Sequence, residues 1–326
     1  MAVSRLTYVR RRLGRAVLVV VAVVVLGFFL IRIPPGDMVD VIVGEAGGAD
    51  LEFVEMMRSH FGLDRSLWEQ FLIYIRNVLV LDLGFSYQQQ SPVLKIIIDR
   101  MPITALIAAI VMVFGVGLGM LFGAIAATYV NRWPDTLVSG FALLFYATPN
   151  FWLGLMLVLL FSIYVQWLPP FGIRTLGMQQ TALSGAIDLA RHLVLPVIAL
   201  GTHYVAIFAR ITRGAMLEVA SMDFVKTARA KGLSRLQVIR RHILRNALLP
   251  LTTYAGLQAG NLIGGTVLVE TVFAIPGLGR LTYESIVTRD YLLLLGILIV
   301  TSVLVIIVNL ITDIIYTFIE PRVELT

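Results

Sequence analysis

The residues able to do chemistry in this chain are few, and the clustered ones are basic. No cysteine occurs, which removes disulfides, thiolate metal sites and cysteine nucleophiles. No G-x-x-x-x-G-K-[S/T] loop is present, so nothing in the chain cradles a nucleotide phosphate in the P-loop manner. No serine, aspartate or histidine constellation sets a nucleophile beside a base. His203 falls in an apolar run with no second His, Asp or Glu at ligand spacing, which favours hydrogen-bonded packing over a proton relay or a metal ligand. What remains is a basic segment holding Arg210, Arg213, Lys226, Arg229, Lys231, Arg235, Arg240, Arg241 and Arg245. Such a segment attracts nucleic acid or lipid phosphates, or simply stays on the cytoplasmic side of a membrane.

The surrounding elements decide between these. The chain is 58% apolar and 14% charged, whereas soluble domains are about a quarter charged. Apolar runs cover residues 16–31, 103–130, 137–165, 193–211, 251–269 and 291–318, and a helix needs about 20 residues to cross a bilayer. Backbone amides in hydrocarbon must be satisfied within their own segment, and no ten-residue alternation of a barrel appears, so the expected fold class is all-α with six transmembrane helices. The first run follows Arg5, Arg10, Arg11, Arg12 and Arg15, as a signal peptide would. It leads into Arg32-Ile33-Pro34-Pro35-Gly36-Asp37 and not into a small-x-small cleavage pattern, so it reads as an uncleaved span.

Basic residues in short loops resist translocation, which places the arginine-rich start and the segment 210–245 in the cytoplasm. Six spans then put both termini inside and the long first loop outside. The chain divides into a basic tail (1–15), a first span (16–33), an extracytoplasmic loop (34–101), a transmembrane domain (102–318) containing a cytoplasmic loop (214–249), and a tail (319–326). The outer loop carries ten acidic and five basic residues. Within it, Trp68, Phe71, Leu72, Ile75 and Leu79, and earlier Phe53, Met57 and Phe61, recur at helical spacing, giving amphipathic helices that cover the bundle or dock an outer partner.

Between the fourth and fifth spans local chemistry spells helix, turn, helix. Gly232 suits the left-handed position after a helix, and Ser234 with Gln237 forms a capping box that starts the next one. By spacing, Phe224 and Ala228 share a face, and the small Ala228 and Ala230 permit close approach by another protein. Ile239 and Ile243, flanked by Arg240, Arg241 and Arg245, describe a helix lying at the lipid interface, which accounts for the arginines without nucleic acid.

The run from Asp223 to Leu233, DFVKTARAKGL, resembles the EAA loop of binding-protein-dependent ABC importers, in the version typical of dipeptide, oligopeptide and nickel permeases. Gly62-Leu63-Asp64, Asp82-Leu83-Gly84, Pro149-Asn150-Phe151, Leu195-Pro196, Asn246 to Pro250, Glu270 to Phe273 and Pro276-Gly277-Leu278-Gly279 resemble the same family, in order, over nearly the whole chain. The resemblance implies a type I importer permease in a bacterial inner membrane. It further implies a coupling element of Ser221, Met222, Asp223, Phe224, Val225, Thr227, Ala228, Arg229, Ala230, Lys231 and Gly232, seated in a cytoplasmic ATPase subunit. The general motif begins Glu-Ala-Ala six residues before its glycine. Lys226, Thr227 and Ala228 stand there instead, so a glutamate contact is not carried over.

The implied partners are a second homologous permease, two ATPase subunits that bind ATP and Mg, an extracytoplasmic solute-binding protein and membrane lipid. This chain itself is expected to bind no cofactor and to have no ATPase site. Dipeptides, longer peptides, glutathione and nickel complexes are the implied range of cargo. For the pathway, Gly256, Gly260, Gly264 and Gly265 on the fifth span serve either close helix packing or space for a solute, and the mid-span amide of Asn261 must face protein or water. Asn150, Asn261, Gly264 and Gly265 are the candidate pathway residues. Pro149 and Pro196 read as kinks, and Trp152, Tyr164 and Trp167 as interfacial anchors. An ion-gradient-driven secondary transporter, the alternative from another class, calls for inverted repeats and mid-membrane carboxylates, for which Asp313 near the end of the last span is the only plausible deep residue.

Overall fold

The computed structural model describes residues 5–319 apart from 31, 34–37, 46–49, 61, 176 and 178–180. Pro34 to Asp37, Phe61 and the tail from residue 320 therefore lie outside the described residues. Helices α1 (Arg5–Leu30), α2 (Met38–Glu45), α3 (Leu51–His60) and α4 (Leu67–Leu79) come first, followed by the hairpin β1 (Phe85–Ser86) and β2 (Ser91–Pro92). Next are α5 (Val93–Thr128), α6 (Trp133–Ala147), α7 (Asn150–Leu157) with a π-helical turn (Val158–Tyr164), and α8 (Ala182–Ala220). The chain continues through α9 (Asp223–Ala230), α10 (Arg235–Gln237), a second π turn (Val238–Leu244) and α11 (Arg245–Gly265). It closes with α12 (Val267–Val272), α13 (Leu278–Val287) and α14 (Tyr291–Ile319).

Among the described residues, three helices are long and apolar enough to cross a membrane: Val93–Thr128, Ala182–Ala220 and the Tyr291–Thr312 part of α14. The expected span 137–165 is not straight. Its halves, α6 and α7 with the π turn, meet at 101°. Proline lacks an N–H and pushes the residue before it out of the helical region, and Thr148 (ψ 125°) and Pro149 (ψ 130°) are both extended. What spacing shows as a kink is thus a full corner. Pro196, in contrast, lies inside an unbroken α8. α5 begins ten residues before the expected edge of its span, running through Asp99, Arg100 and Pro102.

The chain divides into two compact units. The first takes residues up to 102 with 281–307. In it α4 is fixed by a Ser66–Glu69 capping box and packs its Phe71 and Tyr74 on Phe28 of α1, at ring separations of 5.0 and 5.5 Å. Arg32 lies 3.6 Å from the Phe28 ring centre and donates to Gln70 Oε1 (2.8 Å), tying the end of α1 to α4. The hairpin pairs Phe85 with Pro92 and Ser86 with Ser91, and the Ser86 hydroxyl donates to Asp290.

The second unit, 103–280 with 308–323, is built around α8. At 39 residues this helix is about 58 Å long, and most of its apolar stretch is buried. Ile107 and Val111 of α5 join Leu195, Leu200, Tyr204 and Phe208 of α8 and Leu262, Phe273 and Ile275 in one core. The α5–α8 contact is close because Gly115, Gly119 and Gly123 form a stripe. A Cβ on them would lie 2.6 Å from Tyr204 Cβ, 2.5 Å from Phe208 Cβ and 2.5 Å from Thr212 Cβ respectively. Gly201 of α8 does the same for the Phe114 ring, at 2.6 Å. Such small-xxx-small spacing lets two backbones approach in lipid.

Overpacking a fitted contact costs about 1–3 kcal/mol. Gly119→Val is therefore expected to lower the melting temperature of the detergent-solubilised protein in scanning fluorimetry. Gly117→Ala, where nothing lies within 4 Å of the added carbon, should leave it unchanged.

Candidate functional site

After Ala220 the chain turns through Ser221 and Met222 into α9, with amide bonds from Ser221 to the Glu218 carbonyl (3.2 Å) and from Met222 to the Val219 carbonyl (3.1 Å). Asp223 occupies the first turn, where negative charge suits the helix dipole. Its carboxylate pairs with Lys226 at 2.8 Å, an exposed pair that solvent largely screens. Thr227 Oγ1 donates to the Asp223 carbonyl at 3.0 Å. At the far end the Lys231 N–H reaches the Thr227 carbonyl and the Gly232 N–H the Arg229 carbonyl, both at 3.0 Å. Gly232 has φ +78°, a conformation that costs glycine alone nothing. Ser234 Oγ then accepts from the Gln237 N–H, and Gln237 Oε1 from the Ser234 N–H, completing the expected box.

Two residues seat α9 on its own subunit. Val225 and Ala228 are 0% and 4% exposed and pack with Met216, Val219, Val238, Ile243, Ala247 and Leu251. Ser221, Met222, Asp223, Phe224, Thr227, Arg229, Ala230, Lys231 and Gly232 are all exposed. This corrects the face read from spacing. Phe224 and Ala228 are four apart but do not share an environment, because the hairpin onto α8 buries the Val225 side. Ala228 is the small residue of an internal contact, and Phe224, at 41% exposure, is the one left outward.

A second correction concerns the residues after Gly232. Ile239 and Ile243, expected to face lipid, pack against the protein's own core. Helical dihedrals persist at Gln237, Val238, Leu244 and Arg245, so the helical run from Arg235 reaches Gly265 without a break. Ile243 faces protein, not lipid, at 5% exposure. α9 is thereby tied to α8 through two residues and to α11 through the Gly232 turn.

Of the candidate pathway residues, Asn261, Gly264 and Gly265 are brought together, exposed on α11. Asn261 Nδ2 donates to Gln258 Oε1 (3.2 Å), and Gln258 Nε2 to Tyr254 Oη (2.8 Å). Nothing lies within 4 Å of a Cβ on Gly264, and on Gly265 the nearest atom is Tyr204 Oη at 3.8 Å. Gly256 differs, since a Cβ there would overlap the side chain of Thr312 on α14. The glycine series thus divides into a packing residue and an open face. Asn150 stands half-buried at the start of α7, and among the described residues no hydrogen bond joins it to the Asn261 group. His203 stacks on Tyr146 (5.3 Å, 12°) and meets the edge of Tyr204.

One constellation has no counterpart in the expected site. Glu270, fully buried, accepts from Thr104 Oγ1 (2.8 Å) and the Arg280 N–H (3.0 Å), with Thr266 and the Gly279 N–H as further donors. Thr104 in turn accepts from the Leu278 N–H (2.8 Å). A Cβ on Gly277 would lie 2.5 Å from Thr104 Oγ1, and one on Gly279 2.9 Å from Glu270 Oε2. The two glycines are what let the chain fold over the carboxylate. Only the likeness of Glu270–Phe273 and Pro276–Gly279 to family motifs marks the spot in sequence, because Thr104 is 166 residues away.

A family model described as "Binding-protein-dependent transport system inner membrane component" matches residues 119–325, and its N-terminal companion matches residues 5–108. The chain belongs to this family. It is 35% identical to the dipeptide transport system permease protein DppB of Escherichia coli strain K12, over 98% of this chain and 99% of that protein. It is 38% identical to the glutathione transport system permease protein GsiC of the same strain, with the same coverage. A chain of the MetNI methionine ABC transporter in an inward-facing conformation, 19% identical, shares the fold with a TM-score of 0.55 over 69% of this chain and 97% of that one. This member of the family is a multi-pass inner-membrane permease of an ABC importer, and its part is to form a way through the membrane.

Within the permease Glu270 is an anchor. Glu270→Gln turns one acceptor into a donor facing backbone N–H groups, and each buried group left unsatisfied costs about 1–3 kcal/mol. Reduced yield of monodisperse protein in size-exclusion chromatography is expected, with Thr104→Ser, which keeps the hydroxyl, close to wild type.

Proposed function

We propose that this permease pairs with a second, homologous one to enclose a path for di- or oligopeptides, and that α9 is the coupling helix. In this reading the protein has six transmembrane helices and cytoplasmic termini. Two cytoplasmic ATPase subunits bind ATP and Mg, and an extracytoplasmic solute-binding protein delivers the cargo. The chain binds no nucleotide itself, so the work arrives as a push. The observation that carries the reading is the construction of α9: seated by Val225 and Ala228, it turns the apolar side chains of Met222 and Phe224 outward. Exposed apolar side chains on an otherwise polar helix mark a partner's pocket.

Displacing α9 displaces α8 and α11 together, because both joins are short and hydrogen-bonded. Transport then becomes a switch between two packings of those helices, biased by the closing and opening of the ATPases. The open face of Asn261, Gly264 and Gly265, with Asn150 at the α6–α7 corner, offers amide groups and bare backbone to a passing peptide bond. Peptide cargo is supported by the relatives, one named for dipeptides and another for glutathione, itself a tripeptide.

The absence of cysteine allows a direct test. A thiol placed by Phe224→Cys should cross-link to an ATPase subunit in the reconstituted complex, and one placed by Arg229→Cys should be labelled only from the cytoplasmic side. Phe224→Asp should cut peptide uptake into proteoliposomes by more than about tenfold, the loss of an interface hot spot, while the complex still assembles. Unchanged uptake, or labelling of residue 229 from outside, would end this assignment.

A further inference from the structure

α6 and α8 enclose a cleft of about 410 Å³ whose apolar wall includes Val138, Ala142, Leu143 and Ala206, with Arg210 and Arg213 as its charged residues. Arg213 is occupied: its Nε and guanidinium NH2 donate to the two oxygens of Asp135 at 2.6 and 2.8 Å. Asp135 also accepts from the Asn131 N–H (2.9 Å) and Ser139 Oγ (3.4 Å), so it has nothing left for a second cation. Arg210, one turn earlier on α8, has no acidic partner among the described residues. Its guanidinium rests over the Tyr146 ring, 4.9 Å from the centre.

The direction of that charge is unexpected. By sequence Arg210 opens the cytoplasmic basic segment, but Tyr146 lies eleven residues along α6 from Asp135, or about 16 Å. The Arg210 guanidinium thus reaches along α6 away from the Asp135–Arg213 pair. Long cations at helix ends normally snorkel toward the head groups, whereas Arg210 carries its charge the other way. A cation on a membrane-spanning helix must face water or an anion. No acidic side chain among the described residues pairs with it, which leaves the site open to a solute that brings its own anion.

We infer that Arg210 and the apolar wall of Ala142, Leu143 and Ala206 form a subsite for the solute in transit, which takes the free C-terminal carboxylate of a short peptide. The inference rests on the peptide reading given above. Tyr146 holds the guanidinium extended while the cleft is empty, through a cation–π contact that a charge-assisted, bidentate carboxylate bond readily replaces. The wall beside it accommodates an apolar side chain of the same peptide.

Leu143→Cys places a single thiol in the cleft of a transporter reconstituted in nanodiscs. Its reaction is followed with methanethiosulfonate reagents carrying a sulfonate or a trimethylammonium group, each normalised to its rate with a free thiol. The anionic reagent is expected to react about tenfold faster, as a focused positive field would dictate. Arg210→Gln should abolish that preference and Arg210→Lys retain it. Saturating alanylphenylalanine should slow the anionic reagent, and its C-terminal amide should not. Equal rates for the two reagents, no reaction with either, or equal protection by acid and amide would overturn the subsite. A complex that transports no peptide yet keeps the Arg210-dependent preference would overturn the peptide reading while upholding an anion subsite.

Discussion

Helices in lipid gain little from hiding apolar surface from one another, since the surrounding tails are as apolar as they are. What holds this permease together is how near two backbones can come. The stripe of Gly115, Gly119 and Gly123 brings α5 against α8 until Tyr204, Phe208 and Thr212 rest where side chains would otherwise be. With α8 fixed in this way, its far end carries α9 and its flank borders a cleft.

The seat of α9 is economical in residues. Val225 and Ala228 bind α9 to its own subunit, and the rest of the helix is free for another protein. An internal seat of two small side chains is firm enough to pass on a displacement and shallow enough to leave most of the helix surface outside. The Asp135–Arg213 pair lies close to the same end of α8 and keeps α6 in step with it. The buried carboxylate of Glu270 does a comparable job elsewhere in the same unit, where it gathers Thr104 and the glycine turn of residues 277–279.

Local chemistry was legible in the sequence because its causes are local. A helix from Asp223, a left-handed Gly232 and a Ser234–Gln237 box depend on neighbours three or four residues apart, and all are present. Features set by distant residues were not legible. The outward direction of Phe224 is decided by α8 and α11, not by its own helix. The glycine stripe of α5 is hidden in a helix that is apolar all round, where no side stands out. A proline in an apolar run signals either a kink or a corner, and only the neighbours of Thr148–Pro149 select the 101° turn. The contact of Arg210 with Tyr146 is likewise absent from a positive-inside tally, which registers sign and sequence position, not the direction of a side chain.

The π turn at Val238–Leu244 lies between α9 and α11, just ahead of Pro250. Its i→i+5 bonds hold one residue more per turn than an α-helix needs. Migration of that wide turn along the run from Arg235 to Gly265 would rotate the residues it passes while the helix keeps its length. On the coupling reading proposed above, a stroke delivered at the cytoplasmic end would then arrive at α11 as a twist as well as a shove.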